Sequence, residues 1–112
     1  EGKYVISPQF VYAFPFSEGL ARVISDSKWG YIDKTGKFVI NPQFDSAGDF
    51  SEGLAGVSIG GKWGYIDKAG KYVISPQFDW AWGFSRGLAS VELGDKRGYI
   101  DKQGKYIWEP TD

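Results

Sequence analysis

A recurrence of 34 residues governs what this chain can fold into. Trp29 and Trp63 keep that spacing, as do Tyr31, Tyr65 and Tyr99, and Pro8, Pro42, Pro76 and Pro110. The most regular copy is Lys62 to Ile74, Lys-Trp-Gly-Tyr-Ile-Asp-Lys-Ala-Gly-Lys-Tyr-Val-Ile. It recurs at Lys28 to Ile40 and, with Arg97 in place of the tryptophan, at Lys96 to Ile107. Repeats of this length are supersecondary units, each covering its neighbour's apolar face. The chain therefore reads as a single repeat domain over 1–112, with units at 2–35, 36–69 and 70–103 and a partial copy at 104–112. The pattern says far more about folding than about function, and marks a binding or spacing element rather than an enzyme.

Within a unit, Ala55, Val57 and Ile59 alternate along one side of an extended segment, the period-two signature of a first strand. Gly60-Gly61 follows, a pair that accepts the positive φ angles of a tight hairpin, with Asp26-Ser27 and Gly94-Asp95 in the equivalent places. A second strand runs from Trp63 to Asp67. Asp67-Lys68-Ala69-Gly70 then supplies a carboxylate to bond the turn backbone and a glycine for its left-handed position. Tyr72 to Ser75 forms the third strand, and Pro76 is expected to end it by removing a ladder donor.

Gln77 to Gly87 has no clean period and reads as a connector. It carries Phe84-Ser85-Arg86-Gly87, equivalent to Phe16-Ser17-Glu18-Gly19 and Phe50-Ser51-Glu52-Gly53, where the serine is placed to cap a single helical turn and the glycine to leave it. Ahead of these the copies diverge, from Tyr12-Ala13-Phe14 to Ser46-Ala47-Gly48 to Trp80-Ala81-Trp82. Recurring positions serve structure, and changing positions are open to recognition.

The predicted fold is thus all-β: tandem 34-residue repeats, each a three-stranded antiparallel meander plus connector, stacked as an open β-repeat array. Ordering costs about 1–2 kcal/mol per residue and apolar burial returns about 25 cal/mol per Å², so a lone unit stays unfolded. The expected core contains Val23, Val57, Val91, Ile32, Ile66, Ile100, Ile40, Ile74 and the recurring Leu20, Leu54 and Leu88, with Phe10, Phe44 and Phe78 sealing the joints. The start inside a repeat and the lack of an initiator methionine predict a fragment of a longer chain. Gly104 to Asp112 is a partial copy of Gly2 to Gln9, so a hairpin is split between the ends, Lys3 to Ile6 is expected to lack its partner, and end-to-end self-association becomes a hazard.

The string Lys-Trp-Gly-Tyr-Ile-Asp-Lys-x-Gly-Lys, followed by Val-Ile-x-Pro-Gln-Phe and Phe-Ser-Glu-Gly-Leu-Ala, resembles the WG repeat family, tandem β-rich units found mainly in bacterial proteins. The resemblance covers essentially the whole chain. It implies a β-rich array that serves as a general interaction scaffold, with no catalytic residues or cofactor to carry over. Arg97 departs from the pattern set by Trp29 and Trp63, so the units do not all offer the same tryptophan.

Composition narrows the chemistry. A formal net charge of −1 gives no basic stripe for nucleic acid or an anionic membrane surface. No run of about 18 apolar residues suits membrane insertion. The chain has no histidine and no cysteine, which removes the commonest general base and metal ligand and most nucleophilic dyads. Any catalysis or metal binding would rest on carboxylates. Asp33, Asp67 and Asp101 recur, but each opens a glycine turn that it is placed to bond. Glu52 has Arg86 as its counterpart, which a shared catalytic acid would not permit. Nothing marks a glycosidase pair, and one carboxylate per turn is too few for calcium. No catalytic, cofactor or metal site is predicted.

Aromatic residues are the better clue, at 18% of the chain. Trp29 with Tyr31, and Trp63 with Tyr65, project to one side of their strands, while Gly30 and Gly64 leave room opposite. The plain reading is packing between units. Tyr12, Phe14, Trp80 and Trp82 sit in the changing connector and alternate with alanine, which exposes an aromatic side if the segment is extended. They form the candidate binding surface. A protein or peptide ligand is the leading expectation. The alternative is a carbohydrate or cell-envelope ligand stacking on the exposed rings, since periodic tryptophan and tyrosine beside glycine is also similar to the shorter choline-type wall-binding repeats.

Overall fold

The computed structural model describes the backbone of residues 12–13 and 15–111 and the side chains of residues 15–107. Phe10, Phe14, the Tyr12 side chain and the segment Lys3 to Ile6 lie outside that description. The described chain is all-β. Twelve strands make three four-stranded antiparallel sheets: β1 (Tyr12–Ala13), β2 (Ala21–Ser25), β3 (Lys28–Ile32) and β4 (Phe38–Phe44); β5 (Ser46–Ala47), β6 (Ala55–Ile59), β7 (Lys62–Ile66) and β8 (Tyr72–Phe78); β9 (Trp80–Ala81), β10 (Ala89–Leu93), β11 (Lys96–Ile100) and β12 (Tyr106–Thr111). Each sheet is a meander in chain order. The three form an open, elongated array of 52 × 27 × 19 Å.

The local chemistry explains the hairpins. Gly60 and Gly61 take φ of 61° and 84°, and Asp26 and Ser27 take 52° and 68°, the left-handed pair that matches strand twist. At the second hairpin the Asp67 carboxylate accepts the Ala69 and Lys71 N–H groups at 2.9 and 3.0 Å, and Gly70 stands at φ 86°. Asp33 and Asp101 do the same work in their units.

Three local expectations are corrected. The connector is not wholly irregular: Ser46–Ala47 pairs with Val57–Ser58, the Asp45 N–H donates to the Ser58 carbonyl, and the Gly48 N–H donates to the Gly56 carbonyl. The meander thus has four strands instead of three, because the outer edge of β6 finds backbone partners in the connector that precedes it. Pro76 does not end the third strand. Between the pairs Trp63↔Phe78 and Tyr65↔Ile74, β7 advances two residues and β8 four. Pro76 lies in that bulge, where no ladder donor is required. Finally, Phe50-Ser51-Glu52-Gly53 makes no helical turn. Ser51 and Leu54 exchange N–H···O bonds of 2.9 and 3.1 Å around Glu52 and Gly53 at φ 56° and 83°, a two-residue type I′ turn.

The core lies between sheets. Leu20, Tyr31, Ile40 and Phe44 of the first sheet pack on Ala47, Phe50, Ala55, Val57 and Ile66. Leu54, Tyr65, Ile74 and Phe78 of the second meet Ala81, Phe84, Ala89, Val91 and Ile100 in the same way. Phe44 and Phe78 seal these joints as expected, joined by Phe50 and Phe84, whose rings meet Tyr31 and Tyr65 edge-on at 4.8 Å. Every predicted core residue is buried except Leu88, which is 37% exposed on the side of the third sheet turned away from the second. Ile59, at the tip of its hairpin, is also exposed despite sharing a face with Ala55 and Val57.

Polar bonds repeat from joint to joint. The Tyr31 hydroxyl donates to the Gly48 carbonyl at 2.6 Å and Tyr65 to that of Trp82 at 2.5 Å; burial pushes both phenols well above the usual tyrosine range. The Ser17 hydroxyl donates to the Phe50 carbonyl and Ser51 to that of Phe84. The Glu18 carboxylate accepts the N–H groups of Glu52 and Gly53, and Glu52 accepts those of Arg86 and Gly87. These bonds, that to the glycine N–H foremost, hold both glutamates below the ordinary carboxylate value.

Candidate functional site

The site grows out of a difference between copies. Where the outer units carry Tyr12 and Trp80, the middle unit has Ser46; where they carry Phe14 and Trp82, it has Gly48; opposite Arg22 and Ser90 it has Gly56. Three small residues therefore fall together on one side of the second sheet. Ser46 and Gly56 sit on adjacent strands, and Gly48 is bonded to Gly56 through its N–H. The result is an open groove of about 380 Å³ over the middle unit, of a size that suits a ligand.

Tryptophans wall it. Trp29 stands on the side of the first sheet, while Trp63, Trp80 and Trp82 stand on the other. Trp63 and Trp80 are tilted by 56° with centroids 5.0 Å apart, and Trp80 and Trp82 meet at 67° and 6.0 Å. Such inclined contacts put ring edges against ring faces, which locks the wall in place. Trp80 and Trp82 are 44% and 41% exposed, whereas Ala81 between them is buried, so the connector runs extended with its aromatic side outward.

Arg22 closes one end. It reaches from β2 to the next unit's connector, donating from Nη1 to the Ala47 carbonyl at 2.9 Å and from Nε to Asp49 Oδ1 at 3.0 Å, with its guanidinium 5.5 Å from the Trp29 ring centroid. Arg97 lies over Trp82 at 5.2 Å and pairs with Glu92. Each arginine holds an indole by its face. Among the described residues, no Asp, Glu, Asn or Gln side chain lines the groove.

Of the sequence-predicted surface, Trp80 and Trp82 come together in this wall; Phe14 and the Tyr12 side chain lie outside the described residues. Sequence reasoning did not join Trp29, Trp63 or Arg22 to the site. The signal available was the run of small residues in one copy only. Trp29 and Trp63 each divide from the tyrosine two residues on: the tyrosines fill the joints, and the tryptophans face the groove half-buried. Gly30 and Gly64 serve their own sheet. A Cβ on Gly64 would stand 2.5 Å from the Ile74 oxygen and 2.7 Å from the Pro76 nitrogen, so only glycine lets the proline bulge cross.

The recurring aspartates and Glu52 are engaged in turns and joints, and among the described residues no group of three or more His, Cys, Asp or Glu could hold a metal ion. Among the described residues no helix is long and apolar enough to cross a membrane.

Among solved structures, one titled "Structure of 2S albumin seed protein from Dolichos" is similar at 18% identity and a TM-score of 0.44, covering 94% of this chain and 66% of that one. No curated protein matches. The family model "WG containing repeat" matches residues 1–29, 29–63 and 63–96, the second match running from Trp29 to Trp63. With its tryptophan–glycine pairs flanking a proline bulge in successive sheets, the chain belongs to the WG containing repeat family.

Proposed function

We propose that this chain is a non-catalytic interaction scaffold whose middle unit docks an extended, proline-rich segment of a partner protein. The observation that carries this reading is the groove floored by Ser46, Gly48 and Gly56 between tryptophan walls. A polyproline segment suits it for three reasons. Its apolar rings can pack on the exposed indoles of Trp80 and Trp82, it arrives already ordered, and recognition of such segments uses aromatic-lined grooves in general. A sugar would want carboxylate or amide side chains to share its hydroxyls, and the described residues of the lining offer none. The absence of histidine and cysteine and the engagement of the aspartates in turns support a role without catalysis.

Titration of the full chain with a labelled decaproline peptide, read by tryptophan fluorescence and anisotropy, tests this. Trp82→Ala should weaken binding about 30-fold, as loss of a central aromatic anchor does. Gly48→Trp, which restores the bulk of the third unit to the middle one, should block it. Reproducible glycan-array binding that disappears in Trp80→Ala or Trp82→Ala, with no peptide response, would instead assign the surface to carbohydrate.

A further inference from the structure

We infer, resting on the proline-rich docking just proposed, that the segment taken up by the groove carries two aromatic residues on either side of a single proline, and that their rings complete a ladder of side chains which the middle unit leaves open. The next unit along supplies the template. There Trp63 meets Trp80 with centroids 5.0 Å apart, Trp80 meets Trp82 at 6.0 Å, and the Arg97 guanidinium lies 5.2 Å from the Trp82 centroid. Moved back by one repeat of 34, the same four positions are Trp29, Ser46, Gly48 and Trp63. Both ends of this ladder line the groove as indoles. Its two middle members are a hydroxymethyl group and a hydrogen atom. The groove thus occupies the place that two rings hold one unit later.

The backbone follows the same course in both units, so side chains alone make the difference. Ser46 and Ala47 pair with Ser58 and Val57 as Trp80 and Ala81 pair with Glu92 and Val91. The Gly48 N–H donates to the Gly56 carbonyl as that of Trp82 donates to Ser90. Ala47 and Ala81 are both buried, so positions 46 and 48 point outward as Trp80 and Trp82 do. An incoming segment therefore continues an aromatic contact row that the chain already builds between its second and third units.

The geometry of the template sets the chemistry of the segment. Aromatic rings suit the two places because inclined ring pairs attract one another beyond the burial they share. An extended chain puts residues i and i+2 on one side, and a rise of about 3.3 Å per residue sets them close to the 6.0 Å that separates Trp80 from Trp82. The residue between them faces away from the groove, where no N–H donor is called for, and a proline there holds the aromatic residue before it extended.

The test uses the full chain and three fluorescein-labelled ten-residue peptides followed by anisotropy: decaproline, the same peptide with two tryptophans flanking one proline, and the same peptide with its two tryptophans five residues apart. The paired probe should bind about tenfold more tightly than decaproline, as added ring contacts do, and more tightly than the spaced probe. Ser46→Trp, which supplies one rung from within, should erase that advantage; Trp29→Leu, which removes one end of the ladder, should reduce it; Ser46→Ala should leave it intact. Paired and spaced probes that bind alike, or an advantage that survives Ser46→Trp, would overturn the inference, and decaproline binding would then leave the proline-rich docking standing. Tight binding of the paired probe with no response to decaproline would uphold the ladder and remove the proline preference. Self-association of the chain that disappears in Ser46→Trp would give the groove to a second copy and overturn the inference.

Discussion

Replacing Gly64 by alanine is the sharpest test of why tryptophan is followed by glycine here. The new methyl would lie 2.5 Å from the Ile74 oxygen, 2.7 Å from the Pro76 nitrogen and 2.8 Å from the Ser75 carbonyl carbon, where ordinary contact begins at 3.4 Å. Strand β8 must therefore move by roughly 0.9 Å at its bulge. All three atoms are backbone, so no side chain can swing aside to relieve the clash. Overpacking of this kind costs about 3 kcal/mol at the upper end of its usual range. For a domain of this size that lowers the midpoint of thermal unfolding by roughly 10 °C. Gly56, in the same sheet, provides the control. Its Cβ would come no closer than ordinary contact, at 3.5 and 3.6 Å from the Tyr65 and Trp63 rings and 3.9 Å from the Gly64 oxygen, and its φ is not positive. Gly56→Ala should thus be neutral or add about 0.5 kcal/mol by restricting the unfolded chain. Circular dichroism melts of the two variants settle the matter. If Gly64→Ala melts within a degree or two of the parent, or if both changes cost the same, the close crossing is not what requires glycine.

The glutamate ladder predicts an acid limb to stability. Glu18 and Glu52 have folded-state values below the ordinary 4.5, so as pH falls past that value the unfolded chain takes up protons first and stability declines until the folded carboxyls are protonated too. Asp45 and Asp79, held low by the Lys28 and Lys62 ammonium groups, add to the same limb. Midpoints measured between about pH 6 and 3 should fall steadily in the parent and less steeply in a Glu18→Gln, Glu52→Gln double variant; parallel curves would remove the ladder from the account. Tyr65→Phe deletes the bond to the Trp82 carbonyl and should cost about 1 kcal/mol in urea melts, with a shift in tryptophan emission as the groove wall loosens. Unchanged stability and emission would show that this bond holds neither joint nor wall.

Much of the fold was legible because it is local or periodic. Gly60-Gly61 and the Asp67 turn follow from which residues tolerate left-handed backbone, and Val57, Ile66 and Ile74 follow from alternation. Reading failed where a residue's local habit was overruled by a partner distant in sequence. Pro76 breaks strands in isolation, yet Gly64 gives its bulge somewhere to pass. Ser51 favours a helical start, yet its hydroxyl is used by the Phe84 carbonyl of the next unit, 33 residues away. Ser46–Ala47 has no strand signature of its own and is drawn into the sheet by the open edge of β6.

The same division runs through the candidate site. The repeat, its β character, its family and the exposure of Trp80 and Trp82 are set by residue spacing, because a period of 34 forces each copy to meet its neighbours in the same way. That Trp29 and Arg22 of one unit should face Trp63, Trp80 and Trp82 of others across a gap left by Ser46, Gly48 and Gly56 was decided only by stacking. A groove is an absence of side chains between elements from different units, and its shape depends on how far apart the sheets stand, a distance fixed by tyrosine and phenylalanine packing in the joints.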